Sequence, residues 1–229
     1  MVADEGYARG RLRARPSGTG GGTPVGLRPV ELGTGSGGYL YVPAGYGARR
    51  PAPLVLLLHG AGEDARDGLA LLRQQADEAG LILLALSSRG PTWDLILGRG
   101  RYGQDVAAID ETLHQTFSSY AVDPGRVAVG GYSDGASYAI SLGISNGDLF
   151  GHVLAFSPGF MAPAGRVGSP RFFVSHGTQD RWLPIDRTSR RLVPELEGAG
   201  YEVRYREFDG PHVVPPAIAH EAVDWFTTP

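Results

Sequence analysis

The chain has 229 residues, 42% hydrophobic and 20% charged, with a formal net charge of -3; this is the balance of a folded domain with no electrostatic footprint for nucleic acid. All 21 basic residues are arginine, which excludes Schiff-base chemistry and a P-loop lysine. The absence of cysteine excludes thiol nucleophiles, disulfides and thiolate metal sites.

The start, Met1-Val2-Ala3-Asp4-Glu5, lacks a basic stretch followed by an apolar core, so no secretory signal is expected and the cytoplasm is the expected compartment, although a mature secreted form would read the same. The most apolar run, 54–58, falls far short of the roughly 20 residues that span a bilayer. No stable membrane insertion is expected. A single domain over 1–229 is expected, with 1–38 as a glycine-rich loop and edge-strand region. In that region and just after it, 27–32 and 38–43 alternate with period two and end in turn residues, which predicts edge strands.

From Leu54 the pattern becomes strand, loop, helix, repeated. The runs 54–58 (LVLLL) and 81–86 (LILLAL) lack alternation, as strands buried on both faces do. A helix is predicted between them over 69–79. Further helices are predicted over 102–117, 134–144 and 216–226, and further strands over 126–130, 153–156, 172–175 and 202–208. The alternation predicts an α/β fold: a single, mostly parallel sheet of about eight strands with helices on both faces. Only 157–170 separates two predicted strands at the place where a lid would be inserted, so no cap domain is expected.

Gly131-Tyr132-Ser133-Asp134-Gly135 is the strongest local signal. G-x-S-x-G arises by chance in a chain with 35 glycines; its placement directly after a predicted strand and before a predicted helix gives it meaning. There Ser133 would sit on a strained turn as nucleophile, with Gly131 and Gly135 where a Cβ would collide with neighbouring strand and helix.

A serine hydroxyl needs a base, and the base needs a carboxylate to fix its tautomer. In chain order the candidates are Asp180, in His176-Gly177-Thr178-Gln179-Asp180, and His212, in Asp209-Gly210-Pro211-His212. Each lies just past a predicted strand's carboxyl end, where open α/β sheets place their ligands. Asp186 and Asp209 are rivals for the acid and His176 for the base, while Ser157-Pro158-Gly159 offers no carboxylate after the preceding strand. His59 is read as shaping a loop, His152 as structural, and His114 and His220 as helix residues. For the developing oxyanion, the expected donors are the N–H groups of Asp134 and of Ala61, in His59-Gly60-Ala61-Gly62, with Gly62 as second choice.

Taken together, Leu58-His59-Gly60-Ala61-Gly62, Gly131-Tyr132-Ser133-Asp134-Gly135 and His176-Gly177-Thr178-Gln179-Asp180 with Pro211-His212 resemble the phospholipase/carboxylesterase family of α/β hydrolases, which includes acyl-protein thioesterases and small bacterial carboxylesterases. The resemblance covers roughly 54–226. It implies an α/β-hydrolase fold and a serine esterase acting through a Ser-His-Asp triad and an acyl-enzyme, without cofactor or metal, on a small-molecule ester of short to medium acyl or aryl type. Thioesterase, lysophospholipase or peptidase action on the same triad, and a non-catalytic small-molecule binding protein, are the alternatives. A monomer or homodimer is expected. Trp182, Phe160, Met161 and Trp93 are the candidates to line the substrate pocket.

Overall fold

The computed structural model describes residues 5–17, 19–21, 24–31 and 37–228. Eight strands form one sheet in the order β1-β2-β4-β3-β5-β6-β7-β8. They are β1 (Gly26–Val30), β2 (Gly38–Val42), β3 (Ala52–Leu58), β4 (Ile82–Leu86), β5 (Val122–Tyr132), β6 (His152–Phe156), β7 (Arg171–Gly177) and β8 (Val203–Phe208). β2 is antiparallel to both of its neighbours, and every pairing from β4 to β8 is parallel. Leu32, the far end of the first predicted edge strand, lies outside the described residues.

The apolar run of β3 explains the layering. Leu54, Leu56 and Leu58 enter one core and Val55 and Leu57 the other, all five fully buried, because successive strand side chains point to opposite faces. The first core is closed by α5 (Gln104–Ser119), α6 (Asp134–Ser145) and α7 (Ser189–Gly198), the second by α2 (Ala65–Ala70), α3 (Ala76–Ala79) and α8 (Pro216–Thr227). Two further short helices, α1 (Glu5–Ala8) and α4 (Asp94–Leu97), complete the set. Burying each such leucine contributes about 1.5–3 kcal/mol, so the central strands supply much of the driving force. Among the described residues no helix is long and apolar enough to cross a membrane.

The short helices α1 and α4 carry no prediction, and two longer stretches also depart from the sequence reading. The helix predicted over 69–79 is two short helices, α2 and α3, joined by turns in which Leu71, Leu72 and Gln75 bond three residues back. Leu69, Leu72 and Ala76 stay buried through the break, which preserves the helical period that suggested one element. α7 carries no prediction at all, since Pro194 lies inside it and proline reads as a helix breaker. Leu192, Val193 and Leu196 nevertheless bury one face, which holds the helix in place. Between β6 and β7 runs only the segment 157–170, and no helix or strand forms there. The carboxyl ends of the central strands therefore stay uncovered on that side.

Candidate active site

β5 ends at Tyr132 and α6 begins at Asp134, so Ser133 alone makes the turn, with φ 56° and ψ -118°. That conformation is strained for a residue with a Cβ. The turn is tight: a Cβ on Gly131 would lie 2.4 Å from the Gly135 carbonyl carbon and 2.8 Å from Leu58 O, and one on Gly135 would lie 2.1 Å from Leu58 O. Both glycines are where strand, turn and helix leave no room for a side chain. Ser133 N–H donates to Phe156 O at 2.9 Å, which ties the turn to the end of β6.

His212, from the loop between β8 and α8, places Nε2 2.9 Å from Ser133 Oγ and Nδ1 2.5 Å from Asp180 Oδ2. A carboxylate only accepts, so Nδ1 carries the proton and Nε2 is free to accept from the Ser133 hydroxyl. Asp180, in the loop after β7, is buried; its Oδ1 accepts from the N–H groups of Trp182 and Leu183, each at 2.9 Å. The three residues singled out from sequence are thus brought together at the carboxyl edge of the sheet. Their rivals are engaged elsewhere. Asp186 is exposed and pairs with Arg190 at 2.7 Å, and Asp209 accepts from the Gln179 amide at 2.6 Å. His114 and His220 lie on exposed helix faces.

Beside Ser133, the turn after β3 is pinned from several directions. Ser88 N–H donates to His59 Nε2 at 3.0 Å, so the His59 ring carries its proton on Nδ1, which donates to Gly60 O at 2.6 Å. Gly60 N–H donates to Glu63 Oε2 at 2.7 Å, and Gly62 N–H to Pro91 O at 2.8 Å. Gly62, the second choice for an oxyanion donor, is therefore corrected: its N–H is already spent. The Ala61 and Asp134 N–H groups make no bond within the protein. Asp134 opens α6, where the helix dipole favours negative charge, and its carboxylate accepts from the buried Thr92 hydroxyl at 2.7 Å.

Of the four candidate pocket residues, Trp182 borders the open depression next to the triad, a space of about 720 Å³ that it shares with Thr178, Gln179, Asp180, Arg181, Pro211 and His212. Its side chain is 83% exposed. Trp93 is corrected. It is fully buried, its Nε1–H donates to His59 O at 2.9 Å, and its ring packs 4.9 Å from the His59 ring. The buried carbonyl needs a donor, and Trp93 supplies it from behind the turn. Phe160 and Met161 are half-buried and stand outside the wall of the depression, with Met161 packed on the core.

Tyr132, the second residue of the elbow, has a part that the sequence motif did not disclose. Its hydroxyl donates to the His212 backbone carbonyl at 2.7 Å and its ring packs 4.8 Å from the imidazole. Burial, with Glu63 and Asp180 nearby, pushes its pKa up to about 12, which keeps the donor proton in place. The aromatic side chain at the variable position of the elbow was the available signal. Among the described residues no group of His, Asp and Glu side chains is placed to hold a metal ion.

The chain matches no family model and no curated protein in sequence. Its structure is similar to that of esterase PE8, at 23% identity over 82% of this chain and 96% of that one with a TM-score of 0.65. It is also similar to a carboxylesterase from Mesorhizobium loti, at 20% identity over 87% and 98% with a TM-score of 0.67. A ferulic acid esterase from Anaeromyces mucronatus, solved with ferulic acid, superimposes over 94% of this chain and 98% of its own at 17% identity and a TM-score of 0.67. Strand order, a serine turn between β5 and α6, and these likenesses agree that the chain has the α/β-hydrolase fold.

Proposed function

We propose that the protein is a serine hydrolase of carboxylic esters that works through an acyl-enzyme. Ser133 Oγ attacks the ester carbonyl carbon while its proton passes to His212 Nε2. Asp180 holds the imidazole in the tautomer that accepts this proton and stabilises the imidazolium that forms. The carbonyl oxygen becomes negative as the tetrahedral intermediate forms, and the Ala61 and Asp134 N–H groups are the donors available to it. Collapse breaks the bond to the alcohol, which leaves with the proton from His212. Water then attacks the acyl group by the same route and regenerates Ser133.

The observation that carries this reading is the continuous relay from Asp180 through His212 to Ser133, at 2.5 and 2.9 Å, ending beside two N–H groups without partners. A binding protein would have no use for a basic nitrogen aimed at a strained serine. The uncovered site suits short to medium acyl or aryl esters, or the exposed ester of a bulkier molecule. The test is hydrolysis of p-nitrophenyl acetate and butyrate by wild type and by Ser133→Ala. A loss of about 10⁴-fold or more is expected in the variant, with the fold intact by circular dichroism. Wild-type turnover in Ser133→Ala would remove the nucleophile and the proposal with it. A panel extending to palmitoyl, feruloyl and thioester substrates would then identify the acyl group.

A further inference from the structure

We infer that His176 is a positioning residue for Asp180: it shares the carboxylate oxygen that holds His212, fixes its direction, and moderates the charge it presents to the base. This rests on the hydrolase reading above. His176 is the penultimate residue of β7 and has no exposed surface. Its Nε2 lies 2.8 Å from Leu183 O and 3.1 Å from Asp180 Oδ2, and its Nδ1 lies 2.7 Å from Ser189 Oγ.

The tautomer follows from these partners. A backbone carbonyl only accepts, so the proton sits on Nε2 and is donated to Leu183 O at 2.8 Å, with Asp180 Oδ2 in contact with the same N–H at 3.1 Å. Nδ1 is then the acceptor for the Ser189 hydroxyl, itself buried at the start of α7. Burial holds the His176 pKa below its ordinary value, against the opposing pull of the Leu183 carbonyl and Asp180. The ring therefore faces Asp180 as a neutral group with its N–H dipole, without a positive charge that would compete with the imidazolium of His212.

The carboxylate is held at both oxygens in consequence. Oδ1 takes two backbone N–H groups, and Oδ2 takes the His212 N–H and lies against His176 Nε2 at 3.1 Å. Rotation of the carboxylate would break the three hydrogen bonds and the His176 contact at once. The remaining titratable groups facing the cluster are Tyr132 from β5, bonded to the His212 carbonyl, and Glu207 from β8, bound to Arg190. Neither reaches Oδ2 of Asp180. Removing His176 Nε2–H leaves that oxygen with more charge for His212, so protonation of the base should begin at higher pH.

The experiment is the pH profile of p-nitrophenyl butyrate hydrolysis by wild type, His176→Leu and His176→Gln. In His176→Leu the acid limb of kcat/KM should move up by about one pH unit. Its plateau kcat should fall about tenfold, since the N–H dipole beside the charged Asp180 is lost, with KM little changed. His176→Gln, whose amide can reach the same oxygen, should bring the limb back to the wild-type position. A purely structural role would lower the amount of active enzyme and leave the limb where it was, and that result in folded His176→Leu overturns the inference. Should leucine prevent folding, nitrogen-15 NMR of the wild-type histidines decides the matter. An Nε2–H tautomer that persists from about pH 5.5 to about pH 8.5 supports the inference, and an Nδ1–H tautomer or a ring that titrates in that range refutes it. Failure of the hydrolase reading looks different, since activity would then survive Ser133→Ala.

Discussion

His176 and His152 occupy opposite ends of neighbouring parallel strands. At the carboxyl end of β7 the His176 ring has a partner on each nitrogen. At the amino end of β6 both ring nitrogens of His152 are buried without a partner, and the ring is packed edge-on against Trp225 and Phe226 at 5.1 and 5.2 Å. The contrast extends beyond these two side chains. Among the described residues, two of the three non-glycine residues with positive φ, Ser133 and Ser157, directly follow β5 and β6 at their carboxyl ends, where the unused N–H of Asp134 and the buried acid after β7 also lie. The amino end of β6 is closed by aromatic packing. The Ser133–His212–Asp180 cluster and the strained turns at Ser133 and Ser157 lie at the edge where parallel strands converge on a crevice, and the same residue type means different things at the two edges.

The largest expected effect comes from testing how rigid the carboxyl edge is. In Gly135→Ala the new Cβ meets main-chain atoms at and just past the end of β3, Leu58 O at 2.1 Å and His59 O at 2.5 Å, which a side-chain rotation cannot relieve. A loss of about 3 kcal/mol or more is expected, read by urea unfolding, with activity lost as the turn opens. Gly143→Ala lies in the same helix near the other edge, and there the Cβ meets Val153 Cγ2 at 2.4 Å, the end of a side chain that can shift. Its cost should be clearly smaller. Equal costs would break the comparison.

Much of the sheet was legible because strands buried on both faces read as unbroken apolar runs, and 54–58 and 81–86 fell inside β3 and β4 or within one residue of them. The elbow, the acid and the base were legible because each follows a strand, and strand ends converge whatever their distance in sequence. Side-chain direction was not legible. Pro91-Thr92-Trp93-Asp94 marks a loop, yet the Trp93 ring is turned inward by a buried carbonyl belonging to His59, a demand no local pattern records. His176 lies only four residues before Asp180 in sequence, a spacing that does not disclose how the two side chains meet. The turn after β7 folds the carboxylate back onto the ring, and the proximity is the basis of the contact.

An intermediate effect should follow Tyr132→Phe. The change keeps the ring against His212 and removes only the hydroxyl that holds the His212 carbonyl at 2.7 Å. A hydrogen bond of this kind is worth about 0.5–1.5 kcal/mol, so kcat should fall about three- to tenfold with KM nearly constant. Activity equal to wild type would mean that packing alone positions the base loop, which would make the carboxyl edge more like the amino edge than the contrast allows.

The smallest effect at neutral pH, and the one with a defined sign elsewhere, belongs to His152. Burial, followed by the nearby Arg171 charge, lowers its pKa to about 4, against an opposing pull from Glu202, while an unfolded chain titrates near about 6.5. Above that value both states are neutral and His152 makes stability independent of pH. As pH falls toward 4 the unfolded chain takes up a proton that the folded protein refuses, so folding weakens through this window and levels off below it. His152→Phe can occupy the same place against Trp225 and Phe226 without titrating. At pH 7 its unfolding midpoint should lie close to that of wild type, and between about pH 6.5 and about pH 4 the wild type should lose stability more steeply than the variant. Parallel losses in the two proteins would show that the amino-edge ring takes up its proton when folded, and that apolar closure does not set its charge.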